Sequence, residues 1–199
     1  MSTIILASAS PRRRELLERV GISIEVLAAD VDESLLPNEE AIPYALRVAR
    51  AKATRISSDK PNQLVLAADT VVEVDSIPMG KASDREEARS MLLALRGRSH
   101  RVTTAVAMQR SGPSPVDCVL DVTTVVVMRE FSDAELEDYL LAEEWQGKAG
   151  AYAVQGMAAA FVTEVRGSIT NVIGLPLAEV VELLSENGVI PSYQGGQAS

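Results

Sequence analysis

Asp69 follows the apolar run Leu64-Val65-Leu66-Ala67-Ala68. Ligand sites in open α/β sheets gather beyond the ends of such buried strands. A carboxylate there can hold a divalent cation or take a proton from water. Taken alone, Asp69 also reads as an ordinary aspartate in a strand-end turn. Asp32 and Glu33 follow a second β-rich run and offer either another carboxylate or a solvated acidic loop. Lys52, Lys81 and Lys148 stand in separate segments. Lysines are mostly surface charge, but three cations converging on two carboxylates would suit a metal–triphosphate.

The N-terminal stretch Ile4-Ile5-Leu6-Ala7-Ser8-Ala9-Ser10-Pro11-Arg12-Arg13-Arg14 adds an anion signal. Its apolar start reads as a buried strand. Ser10 suits an N-cap and Pro11 the first helical position. Arg12 to Arg14 then fall in the first turn, where positive charge opposes the helix dipole. An exposed basic turn is one reading of them. A phosphate held by first-turn amides and hydroxyls is the other.

Composition narrows the field. The 199 residues carry 47% hydrophobic and 24% charged residues, as soluble globular domains do. The net charge of −9 argues against a general nucleic-acid partner, which wants a basic face. The arginines at 12 to 14 are therefore a local basic feature, suited to a small polyanion in a cleft. Cys118 is the lone cysteine, so no disulfide or cysteine-rich zinc site forms within one chain. No leader-like segment and no apolar run of membrane-spanning length is seen, and a reducing, cytoplasmic setting is expected. Neither a Walker A loop nor a dinucleotide glycine fingerprint occurs. His100, the only histidine, reads more readily as structural than as a base.

The elements that must position these residues follow from periodicity and turn chemistry. A strand over Ile4–Ala7 and a helix ended by Gly21 come first. A strand over 23–29 and a helix from Asn38 or Glu39 to about Ile56 follow, the latter packing through Ala45, Leu46, Ala49 and Ala53 and carrying Lys52. A strand over 64–68 ends on Asp69-Thr70, with Val71 to Val74 extended and a turn over Asp75 to Pro78. Ser83 and Glu86 form an expected capping box for a helix through Leu95. Val102–Met108 and Val119–Met128 make a hairpin across the loop Ser111 to Pro115. Ser132 and Glu135 cap a helix to about Leu141, and a small loop over 147–150 carries Lys148. Short strands near 152–154 and 160–165, a loop over 167–176 and a helix over 177–184 complete the pattern. The whole reads as one mixed α/β domain over residues 1–190, folded as two lobes around a cleft. Residues 191–199 are expected to be a disordered tail.

Several motifs then occur in one order: Ser8-Ala9-Ser10-Pro11-Arg12-Arg13, Val31-Asp32-Glu33, Ala68-Asp69-Thr70-Val71-Val72, Gly80-Lys81, Gly147-Lys148-Ala149-Gly150-Ala151-Tyr152, Gln155-Gly156, Gly167-Ser168 and Asn171-Val172-Ile173-Gly174-Leu175-Pro176-Leu177. In this the chain resembles the Maf family, also called septum formation inhibitor proteins, from about Ile4 to Leu184. The departures are Ala9 where glycine is frequent, Ala82 where proline is frequent, and the enlarged loop over 111–115.

The resemblance implies a nucleoside triphosphate pyrophosphatase that cuts between the α- and β-phosphates with a divalent metal, Mg²⁺ or Mn²⁺. It implies an elongated mixed sheet with flanking helices, like that of the inosine triphosphate pyrophosphatases, and a homodimer. By motif match, Asp69 is the proton acceptor. Ser8, Arg13, Glu33, Lys52 and Lys81 line the phosphate and metal side, with Glu33 as metal ligand; as a carboxylate, Asp69 is expected to share the metal. Arg12, Thr70 and Gln155 fall at positions that separate substrate subgroups. The subgroup acting on 7-methylguanosine triphosphate carries tryptophan, glutamine and glutamate there. A glutamine amide offers both a donor and an acceptor, which complements a uracil or thymine edge, so dTTP and UTP are the expected substrates. The rival from another class is a nucleotide-responsive regulator of septum formation without useful catalysis.

Overall fold

The computed structural model describes residues 3–192. A seven-stranded mixed sheet runs through it in the order β2-β1-β3-β5-β6-β7, with β4 paired to β3. The strands are β1 (Ile4–Leu6), β2 (Ile24–Val26), β3 (Val65–Val74), β4 (Ile77–Met79), β5 (Ser99–Arg110), β6 (Val116–Met128) and β7 (Val162–Arg166). β1 lies parallel to β2 and β3, and every pairing from β3 through β7 is antiparallel. The helices are α1 (Pro11–Arg19), α2 (Ala41–Asp59), α3 (Arg85–Leu95), α4 (Asp133–Leu141), α5 (Ile169–Ile173) and α6 (Leu177–Glu186).

Side chains alternate across a strand, so each face of the sheet has its own core. Ile5, Ala7, Val65, Ala67, Ala105 and Ala107 point to α2 and pack on Ala45, Ala49 and Ala53. Small residues on both sides let that helix lie close. The other face carries two apolar clusters. Ile4, Leu6, Leu66, Ala68, Val106 and Met108 pack on Leu16 and Leu17 of α1 and on Val180 and Leu184 of α6. Val72, Val74, Val102, Val126 and Met128 pack on Leu92 of α3 and Leu136 and Tyr139 of α4. Between these two clusters the same face presents Thr70, Thr104 and Thr124, the latter two fully buried. This polar band separates the two apolar halves expected from the sequence as two lobes.

Several expectations are corrected. Asp69 does not end a strand: β3 runs unbroken through it. What ends there is the neighbouring strand. β1 pairs with β3 only at Ile5↔Val65 and Leu6↔Leu66, and β4 begins only at Val72↔Met79. The edge of β3 from Ala67 to Val71 therefore stands open between them. The turn expected over 75–78 is a tight one at Asp75-Ser76, both with positive φ (52° and 63°), and Ile77 and Pro78 already belong to β4. Ser10 occupies the N-cap of α1 without a side-chain cap bond. The cap of α3 is Asp84, whose carboxylate accepts from Glu87 N–H at 2.8 Å, while Glu87 reaches back to Ser83 N–H at 2.7 Å; the motif sits one residue later than Ser83–Glu86. The Ser132–Glu135 capping box forms as expected.

α2 starts at Ala41, because Asn38 takes a left-handed turn (φ 60°), and it continues to Asp59. β2 is confined to Ile24–Val26. No strand forms at 152–154: the Ala153 N–H donates to the Tyr139 hydroxyl (3.3 Å) instead of to a ladder. A 3₁₀ turn over Met157–Phe161 precedes β7. The expected loop over 167–176 contains α5, capped by Ser168. Of the expected tail, Pro191 and Ser192 are half-buried, and Ser192 lies over Gly21. The remainder, 193–199, falls outside the described residues.

Candidate active site

The open edge of β3 places two adjacent side chains on opposite faces of the sheet. Asp69 points toward α2 and Thr70 toward α1. A cavity of about 570 Å³ wraps over this edge and takes in Ser8, Arg13, Glu33, Lys52, Asp69 and Lys81. A second space of about 320 Å³ adjoins it on the α2 side, bounded by Tyr44, Leu35 and Pro78 with Glu33 and Asp69. The residues that the motif match assigns to phosphate, metal, proton transfer or specificity line the larger cavity, including Arg12, Thr70 and Gln155, as does Lys148; Asp32 does not, and its carboxylate accepts from Ser34 N–H at 2.8 Å.

On the α2 side the charges are closed into a chain. Lys52 Nζ donates to Asp69 Oδ1 and Glu33 Oε1, both at 2.8 Å, and Lys81 Nζ to Glu33 Oε2 at 2.8 Å. Lys52 and Asp69 are buried, as an ion pair can be only when each charge has its partner. Burial alone would raise Glu33, but its bonds to the two ammonium groups outweigh this and hold it at about 2. Tyr44 donates its hydroxyl to the Glu33 carbonyl (3.0 Å), fixing the loop that carries the carboxylate. Burial, then the Asp69 and Glu33 charges, push that phenol up to about 12, so it stays a donor.

On the α1 side the organising group is Arg13, buried and bound only to neutral acceptors. It reaches Ser8 Oγ (3.0 Å), Thr70 Oγ1 (3.0 Å) and the Gly174 carbonyl (2.8 Å). Gly174 adopts φ 123°, a left-handed conformation that lets its carbonyl serve the guanidinium. The hydroxyl protons beyond Arg13 have a fixed direction. Thr104 Oγ1 lies 3.0 Å from the Asn171 carbonyl and spends its only proton there. The 2.9 Å contact between Thr70 and Thr104 is then a donation from Thr70. Fully buried Asn171 completes the floor, with Oδ1 accepting from Thr104 N–H and Nδ2 donating to Val102 C=O and Thr124 Oγ1. Asn171, Thr104, Tyr44 and Glu144 stood unremarked in the sequence. The first occurs inside a quoted motif, which is the only signal it gave.

Arg12 and Gln155 come together, sharing a small recess of about 70 Å³ with Glu15, Leu16, Arg19 and Ile173. Thr70 is set apart from them in the floor. The Ser8 hydroxyl accepts from both Arg13 and Ser10 N–H (3.2 Å), which leaves its proton free to donate outward.

For a divalent cation the donor set is two carboxylates that share one ammonium. Among the described residues no group of three or more His, Cys, Asp or Glu side chains gathers. Hard carboxylate oxygens without histidine or cysteine suit Mg²⁺ or Mn²⁺, and a pair of them suits an ion that takes its other ligands from substrate phosphates. Glu33 and Asp69 fit that pattern and do not form a complete protein cage.

The fold and the site thus define a mixed α/β protein whose cleft surrounds a carboxylate with lysine and arginine. More particularly, the model for Maf-like proteins matches residues 3–187, and the chain belongs to the Maf family. It is 49% identical over 187 residues to a protein of Anaeromyxobacter dehalogenans named dTTP/UTP pyrophosphatase, covering 93% of this chain and 94% of that one. A Cereibacter sphaeroides protein of the same name is 45% identical over 193 residues, covering 96% and 98%. Among solved structures, a HAM1 protein from Coxiella burnetii aligns over 94% of this chain and 100% of its own at 18% identity, with a TM-score of 0.46.

Proposed function

We propose that this protein is a nucleoside triphosphate pyrophosphatase acting on dTTP and UTP, releasing the monophosphate and pyrophosphate. The observation that carries the chemistry is the buried Asp69 carboxylate, fixed through one oxygen by Lys52 at an open sheet edge inside a cavity rich in cations. The named activity of relatives at 45–49% identity over nearly the whole chain supports the substrate.

In this reading water sits beside Asp69 Oδ2, since Oδ1 is taken by Lys52. Asp69 accepts the proton as the water oxygen attacks the α-phosphorus, and the bond from that phosphorus to the bridging oxygen breaks. Arg13, Lys52 and Lys81 stabilise the negative charge that gathers on the departing pyrophosphate. Ser8 donates to a phosphate oxygen. Glu33 and Asp69 would hold Mg²⁺ or Mn²⁺, which would supply charge neutralisation and orientation when bound. Gln155 and Arg12 read the base, and Gln155 presents a donor and an acceptor to the thymine or uracil edge. A homodimer is proposed on the family resemblance alone, and a cytoplasmic setting on the single cysteine, Cys118. Among the described residues no helix is long and apolar enough to cross a membrane.

The test is pyrophosphate release from dTTP, UTP, CTP and 7-methylguanosine triphosphate, compared as kcat/KM. Preference for dTTP and UTP is expected. Preference for 7-methylguanosine triphosphate would overturn the substrate assignment. No release from any of the four would favour a nucleotide-responsive regulator instead.

A further inference from the structure

The two faces of the β3 edge differ in charge balance. On the α2 side two lysines meet two carboxylates, and each charge has a partner. On the α1 side the cavity holds Arg12, Arg13 and Lys148 against a single carboxylate, Glu144. That carboxylate is itself engaged, its Oε2 accepting from Met157 N–H at 2.9 Å. Among the described residues Arg13 binds only neutral oxygens. The Lys148 ammonium donates to the Gln146 carbonyl (2.9 Å) and has no carboxylate within ion-pair distance among the described residues.

Lys148 is also held in place. Its loop is strapped to the loop that carries Lys81: Gly150 N–H donates to the Gly80 carbonyl at 3.0 Å, and Ala149 forms a β-bridge with Lys81. Gly150 has φ 64°, and a Cβ there would press on the Val72 side chain at 2.9 Å, so glycine alone lets this loop lie against β3. The strap leaves Lys148 lining the cavity together with Arg12. Burial, and then the Arg12 charge, lower the Lys148 ammonium, the expected state of a cation facing another cation across a space that lacks its anion.

We propose that Lys148 is a substrate-binding residue, and that its ammonium leaves the Gln146 carbonyl to bind the polyphosphate on the Arg13 side of the cavity. The inference rests on the triphosphate reading of the cavity and adds to it a contact made through phosphate rather than through base or sugar.

The experiment measures the Kd of inorganic tripolyphosphate by calorimetry, which needs no turnover, alongside KM for dTTP. It uses the wild type, Lys148→Met and Lys148→Arg, with Tm as the check on folding. Lys148→Met should keep its Tm, since only one bond to a backbone carbonyl is lost. A charge-assisted contact of this kind corresponds to about tenfold or more in binding. The tripolyphosphate Kd and the dTTP KM should therefore both rise by about that factor in Lys148→Met, and Lys148→Arg should recover most of it. Unchanged tripolyphosphate binding in Lys148→Met would overturn the proposal. A raised dTTP KM with tripolyphosphate unaffected would overturn it too, by assigning Lys148 to base or sugar, as would failure of the wild type to bind tripolyphosphate at all. If tripolyphosphate binding falls in Lys148→Met while the wild type hydrolyses no dTTP, the inference stands and the pyrophosphatase reading fails.

Discussion

Asp69 and Thr70 are consecutive on β3, yet Asp69 bonds to Lys52 of α2 and Thr70 to Arg13 of α1, on opposite faces of the sheet. One strand edge therefore borders two half-sites that differ in charge. The half-site with Asp69 is charge-balanced and suited to proton transfer. The half-site with Thr70 keeps an excess of positive charge and suits an anion.

Asp69→Asn tests the first half-site. Asparagine keeps the shape but accepts no proton, and Lys52 retains Glu33 as its partner. The expected outcome is a folded protein whose pyrophosphate release falls by about 100-fold or more, the usual scale for a positioned base. A folded variant with near-normal kcat would remove Asp69 from that role.

Arg13→Lys tests the second. Lysine preserves the charge, but a compact ammonium does not reproduce the planar fork that reaches Ser8, Thr70 and Gly174 together. At least one buried acceptor is left unpaired, which costs about 1–3 kcal/mol. Urea midpoints should fall accordingly, and kcat/KM should fall with them. Full stability and activity in this variant would show that charge alone suffices there.

Sequence periodicity revealed the long β5–β6 hairpin and the Ser132 capping box, because both rest on local rules. The packing face of α2 was legible for the same reason in Ala45, Ala49 and Ala53. The open edge of β3 was not, because it depends on where β1 stops relative to β3, a register between segments about sixty residues apart. The sequence placed Asp69 at the end of its own strand; the strand that stops beside it is β1, and β3 runs on. Asn171 was invisible as chemistry for a similar cause. Its role comes from two strands, Val102 and Thr104 on one and Thr124 on the other, that only the fold brings to it.

Metal removal separates a catalytic ion from a structural one. The carboxylates that would hold the ion already share the Lys52 ammonium, so the free protein does not need a metal to satisfy them. Excess EDTA should abolish pyrophosphate release, restorable by Mg²⁺ or Mn²⁺, and leave Tm unchanged, since only a ligand bound to the folded state raises it. Full turnover in EDTA would sink the metal requirement. A large fall in Tm would reveal a structural ion instead.

His100 supplies the last prediction, one of stability. It is 3% exposed, its Nε2 lies 2.8 Å from the Tyr152 hydroxyl, and its Nδ1 has no partner among the described residues. Burial lowers it from 6.5 to about 4. Above pH 6.5 the histidine is neutral in both folded and unfolded chains and contributes no pH dependence. Between 6.5 and 4 the unfolded chain binds a proton that the folded one refuses, so stability falls as the pH falls through this window. Below about 4 both states are protonated and the slope ends. A shift of this size corresponds to on the order of 3 kcal/mol. His100→Gln removes the titration while offering an amide near the Tyr152 hydroxyl. At pH 7 the variant should be the less stable, through poorer packing. On acidification to pH 4 the wild type should lose on the order of 3 kcal/mol more than the variant does. Urea unfolding of both proteins at half-unit steps from pH 7 to 4 measures the gap. Two parallel profiles would mean that His100 takes up its proton in the folded chain as readily as in the unfolded one.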